Sequence, residues 1–73
     1  MKLTQEQFEA LCRIRAVREG SRGTEALRSV LVDGLTGAKA ADKHHVSRQA
    51  VYATLGASRA VVRDAQLLAG VKL

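Results

Sequence analysis

Ser47, Arg48, Gln49 and Tyr52 fall within six consecutive positions and carry side chains of the kind that read nucleic-acid base edges. An arginine fork matches the two acceptors of guanine, and a glutamine amide matches the donor and acceptor of adenine. Ala50 and Ala53 offer the small apolar surface that meets a thymine methyl. Arg48 and Gln49 are therefore the expected base readers. Ser47 and Tyr52 suit phosphate oxygens as well as base edges. Just upstream stand Thr36, Gly37, Lys39 and Lys43. Their hydroxyl, helix-start amide and charges suit phosphate contacts.

Such residues read DNA only when a rigid unit presents them. The span 36–57 has the pattern of a helix-turn-helix. Thr36 caps a short helix over about residues 37–43, His44-His45-Val46 makes the turn, and Ser47 caps the second helix. Ala41 is the small residue that lets the second helix pack close. Val46 closes the corner and staples onto Val51, which fixes the crossing. Three positions depart from the common pattern. His44 stands where leucine usually fills the core, His45 where glycine usually makes the turn, and Thr54 is more polar than its place suggests. A histidine at the turn is acceptable because it is enriched in the left-handed region over bulkier residues.

The remaining segments also read as helix: the chain has no proline and no sustained apolar alternation. Thr4 and Gln7 form a capping box, with Leu3 and Phe8 as a hydrophobic staple. That first helix carries Phe8, Leu11 and Cys12 on its apolar face and is expected to stop near Gly20. Arg13, Arg15 and Arg18 read as a solvated basic face. A second helix over about residues 24–32 buries Leu27, Val30 and Leu31, and Gly34 takes the left-handed stop. Gly56 is expected to end the fourth helix and Ser58 to cap a fifth, over residues 58–69. Its apolar residues Val61, Val62, Ala65, Leu67, Leu68 and Ala69 are candidates for a dimer interface, or else close the core of the single chain. The expected fold is all-α, a five-helix helix-turn-helix domain spanning residues 1–73.

Composition narrows the function. Twelve basic residues against seven acidic give a formal charge of +5, which favours polyanionic partners. Residues 36–73 hold six of the basic residues but only two acidic ones, so the excess lies with the motif. A single cysteine, Cys12, forms no internal disulfide and fits a reducing, cytoplasmic setting. Its expected role is a small core hydrophobe. The adjacent His44 and His45 diverge by about 100° on a helix and do not converge on one metal ion. No metal, cofactor or small-molecule ligand is expected, and no apolar run is long enough to span a bilayer. Neither a nucleophile–base pair nor a carboxylate pair stands out, so an enzyme is not expected.

The opening Leu3 to Phe8, the helix end Val30-Leu31-Val32-Asp33-Gly34 and the run Val46 to Val51 together resemble the TrfB-like, KorA-type plasmid transcriptional repressors. The likeness covers roughly residues 3–57. It implies a homodimer on double-stranded DNA that occupies palindromic operators of plasmid maintenance or transfer genes. It also implies base contacts from Ser47, Arg48, Gln49 and Tyr52. KorA-type repressors carry a further dimerisation region after the DNA-binding part; here the helix over residues 58–69 stands in its place, unless pairing occurs only on DNA. The alternative is a helix-turn-helix that serves as a protein-interaction or accessory module of a nucleoprotein complex.

Overall fold

The computed structural model describes residues 2–71. Lys72, counted among the basic residues of the second half, lies outside them. Four helices and no strand occur among the described residues: α1 (Gln5–Arg15), α2 (Arg22–Leu31), α3 (Gly37–His44) and α4 (Arg48–Leu68).

Side-chain caps start all four. Thr4 accepts from the Gln7 amide while the Gln7 side chain accepts from the Thr4 amide, completing the expected capping box. Ser21, Thr36 and Ser47 each accept from the amide three residues on. Each such cap is worth about 1 kcal/mol. Gly34 takes a positive φ of 82°, as expected of the stop after α2.

α1 is shorter than the sequence suggests. It ends at Arg15 rather than near Gly20, because Ala16 turns left-handed at φ 53°. The Ala16 amide then donates to the Arg13 carbonyl and the Val17 amide to that of Cys12, satisfying the last carbonyls of the helix. The reversal also folds Val17 back against the core. α2 begins two residues before the expected Thr24, because Ser21 is its cap.

The larger correction concerns the fifth helix. Gly56 does not end α4 and Ser58 caps nothing; one helix of 21 residues runs from Arg48 to Leu68. Ser58 is fully buried in its middle, where its hydroxyl donates to the Thr54 carbonyl at 2.7 Å. Arg15 Nη1 donates to both Thr54 Oγ1 and Ser58 Oγ at 2.8 Å. A mid-helix glycine costs about 1 kcal/mol. Burial of Val51, Leu55 and Ser58 on either side of Gly56 outweighs that penalty.

The core lies where α1, α2 and α3 meet the first half of α4. It is built from Phe8, Leu11, Cys12, Ala26, Leu27, Leu31, Ala40, Ala41, Val51 and Leu55. Val30, expected in the buried stripe of α2, is only half-buried; Ala26 and Ser29 are buried instead. Arg28 ties the outside together, donating to Gln5 Oε1 at 2.7 Å and pairing with Asp33 at 3.1 Å. The second half of α4 runs past the core, and the molecule measures 43 × 18 × 18 Å. No described helix is long and apolar enough to cross a membrane.

Candidate nucleic-acid interface

The junction between α3 and α4 gathers the candidate contact residues. α3 ends at His44, and His45 is left-handed at φ 56°, so the chain reverses in a single residue. The Val46 amide donates to the Ala41 carbonyl at 3.0 Å, and Ser47 then caps α4. Ala40 and Ala41 are buried, as is Val51 in the facing turn of α4. Small side chains on α3 thus let the two helices pack closely, and the opposite face of α4 is left outside.

That outer face carries Ser47, Arg48, Gln49, Tyr52 and Ala53, all exposed. Ser47 has a structural duty as well, through its cap on the Ala50 amide. Arg48 forms a salt bridge with Asp42 at 3.6 Å, and both side chains are mostly exposed. An ion pair so solvated is worth roughly 0–1 kcal/mol. Asp42 therefore orients the guanidinium without sequestering it. The sequence reading missed this pairing; its signal was the lone acidic residue of α3, set beside the turn.

Tyr52 and Gly37 are brought together across the two helices. A Cβ placed on Gly37 would stand 2.7 Å from Tyr52 Cε1 and 3.2 Å from its hydroxyl. The phenol ring thus lies against the start of α3, and Gly37 is buried beneath it. Gly37 matters here because it lacks a side chain. The Tyr52 hydroxyl consequently sits beside the first turn of α3, whose opening amides have no carbonyl one turn back to bond. Thr36 supplies its hydroxyl to the Lys39 amide, and Lys39 itself is exposed. Lys43 lies one turn further along α3, also exposed. Tyr52 of α4 is thus set against the start of α3, where Thr36 and Lys39 are exposed, and Arg48 of α4 is set beside Asp42 near the end of α3.

Two of the three departures from the common motif pattern have polar partners, and the third makes the turn. His44 Nε2 and Ser29 Oγ share a hydrogen bond of 2.8 Å, so a histidine occupies the place of a leucine without an orphaned nitrogen. Thr54 takes the Arg15 bond, and His45 supplies the left-handed turn. Arg15 is thus not part of a solvated face. It reaches from α1 to the middle of α4 and fixes the helix that presents Arg48.

The dimer candidates divide. Val61 and Val62 are half-buried and pack against the core, while Ala65, Leu67, Leu68 and Ala69 are exposed at the far end of α4. Cys12 is buried as expected. Its thiol is pushed up from the ordinary range by burial, with Glu19 adding to the effect. No group of three or more potential metal ligands occurs among the described residues.

No known protein family, curated protein or solved structure matches the chain.

Proposed function

We propose that this chain is a sequence-specific double-stranded DNA-binding protein that acts as a transcriptional repressor. α3 and the first half of α4 serve as its helix-turn-helix. The observation that carries the reading is the Ser47-capped start of α4, held on Ala40 and Ala41 through Val51, with Arg48, Gln49 and Tyr52 turned outward.

In this reading the N-terminal turns of α4 enter the major groove. Arg48 and Gln49 read base edges, and Ser47 and Tyr52 contact base edges or phosphates alongside them. Thr36, Gly37, Lys39 and Lys43 line the flanking backbone, with the start of α3 aimed at a phosphate. Two copies occupy a palindromic operator and exclude polymerase from the promoter. The resemblance to KorA-type repressors supports operators of plasmid maintenance or transfer genes as the targets.

Selection of bound duplexes from a random DNA pool at physiological salt tests this. An enriched palindrome is the expected result. Absence of any enriched sequence would overturn it in favour of a protein-interaction module, with the positive charge reduced to non-specific attraction.

A further inference from the structure

Gly56 and the two arginines beyond it have no role in the fold. Gly56 stands in the middle of α4, exposed and helical, with nothing within 4 Å of where a Cβ would stand. Neither backbone conformation nor packing requires a glycine there, and a mid-helix glycine is destabilising. A missing side chain at such a place suits the close approach of something outside the chain. Arg59 and Arg63 follow within two turns, both exposed. Like charges four residues apart repel along a helix. Among the described residues Arg59 has no ion-pair partner, and Arg63 has only the adjacent Asp64, at 4.0 Å with both side chains largely exposed. An ion pair so solvated is readily exchanged for another anion.

These residues continue the outer face of the first turns of α4. Counted at about 100° per residue, Arg48, Tyr52, Gly56, Arg59 and Arg63 fall within an arc of about 80°. All five are exposed, whereas Val51, Leu55 and Ser58, which lie outside that arc, are buried. The stripe exists only because α4 runs unbroken through Gly56. It holds no acidic residue, since Asp64 points about 100° away from Arg63.

We propose that Gly56, Arg59 and Arg63 form a second DNA contact, which holds the sugar-phosphate backbone flanking the bases read by the start of α4. This contact rests on the DNA-binding reading of Arg48 and Gln49. Along the helix axis Gly56 lies about 12 Å from Arg48, Arg59 about 16 Å and Arg63 about 22 Å. The major groove is only about 12 Å wide. A straight helix that enters it by its first turns has therefore reached the groove wall at Gly56. The backbone passes over Gly56, where no side chain blocks it, and the two arginines meet phosphates beyond. They stand about 6 Å apart along one face, so they take neighbouring phosphates of one strand. Guanidinium forks suit phosphate oxygens. Phosphates carry no sequence information, so this contact adds affinity and orientation without adding base preference.

Binding of a selected duplex with several flanking base pairs on each side, measured at a series of salt concentrations, tests this. Arg59→Gln combined with Arg63→Gln is expected to lower the magnitude of the salt slope by about two per copy. The order of preference among base changes within the site is expected to stay that of the parent. Gly56→Leu adds bulk without charge and is expected to weaken the same duplex about ten-fold or more. Both variants are expected to keep the parent's helix content by circular dichroism. Trimming the flanks needs no variant, and is expected to weaken the parent while leaving the double variant unchanged. A parental slope or altered base preference in the double variant, full affinity in Gly56→Leu, or indifference of the parent to trimming would each overturn the proposal and leave base reading by Arg48 and Gln49 intact. Failure to select any duplex would remove the DNA-binding reading, and this contact with it.

Discussion

Arg15 joins two helices through one guanidinium nitrogen, which bonds Thr54 and Ser58 together. Arg15→Met keeps the aliphatic stem and removes both bonds. A loss of about 1.5–3 kcal/mol is expected, read as a lower urea midpoint; an unchanged midpoint would mean that the guanidinium is merely solvated. The contact residues divide by role in the same way. Arg48→Ala is expected to weaken a selected duplex by about 1–3 kcal/mol and to relax its specificity. Lys43→Ala is expected to weaken all duplexes alike and to lower the salt slope by about one. Titrations by fluorescence anisotropy at several salt concentrations separate the two, and identical behaviour of both variants on selected and random DNA would refute the assignment. Cys12 gives a pH signature. With its folded value raised, the neutral thiol belongs to the folded state. That contribution is intact below the ordinary thiol value of about 8.5 and is lost as pH rises through the folded value. Stability in alkaline solution should therefore fall more steeply for the parent than for Cys12→Ala.

The elements differ from the sequence pattern where a glycine rule was applied to a place that tertiary packing controls. Gly56 is exposed, helical and has no heavy atom close to where a Cβ would stand. Gly56→Ala is therefore expected to stabilise the protein by about 0.5–1 kcal/mol in thermal or urea unfolding. A helix that ended there would lose stability instead, so the sign of the change tests the continuity of α4. The same logic reverses at the two non-glycine turns. Ala16 and His45 both hold a positive φ, a conformation that costs such residues roughly 1 kcal/mol or more. One ends α1 early, and the other sets the angle between α3 and α4. Both turns persist because Val17 and Val46, which follow them, pack on the core.

The whole molecule is a small body with one arm. A formal charge of +5 on 73 residues produces opposite salt effects on folding and on binding. Added salt screens self-repulsion, so the melting temperature should rise from low to moderate sodium chloride. DNA affinity should fall over the same range, with two phosphate-facing cations per copy (Lys39 and Lys43) contributing roughly −2 per copy to the slope. A melting temperature that falls with salt would show that attractive ion pairs, not net repulsion, dominate the surface. The arm has its own consequence. Arg48 and Gln49, the proposed base readers, and the exposed Leu67 and Leu68 occupy opposite ends of one continuous helix, about 30 Å apart.

Local chemistry determined much of this protein. The caps at Thr4, Thr36 and Ser47, the left-handed Gly34 and His45, the buried Cys12 and the exposure of Arg48, Gln49 and Tyr52 follow from residue type and short-range spacing. Each depends on hydrogen bonds, steric preferences or helical periodicity spanning only a few residues along the chain, so each was legible in the sequence. What the tertiary structure decided depends on partners far away in sequence. Arg15 is 39 residues from Thr54 and 43 from Ser58. No local pattern announces that this basic residue will turn inward, that Ser58 will be buried rather than capping, or that α4 will run unbroken through Gly56. The pairing of Gly37 with Tyr52 and the sharing of the last apolar residues between core and open face were likewise hidden. A helical pattern states which side is apolar, whereas only the packed arrangement of α1 against α4 fixes how much of that side is covered.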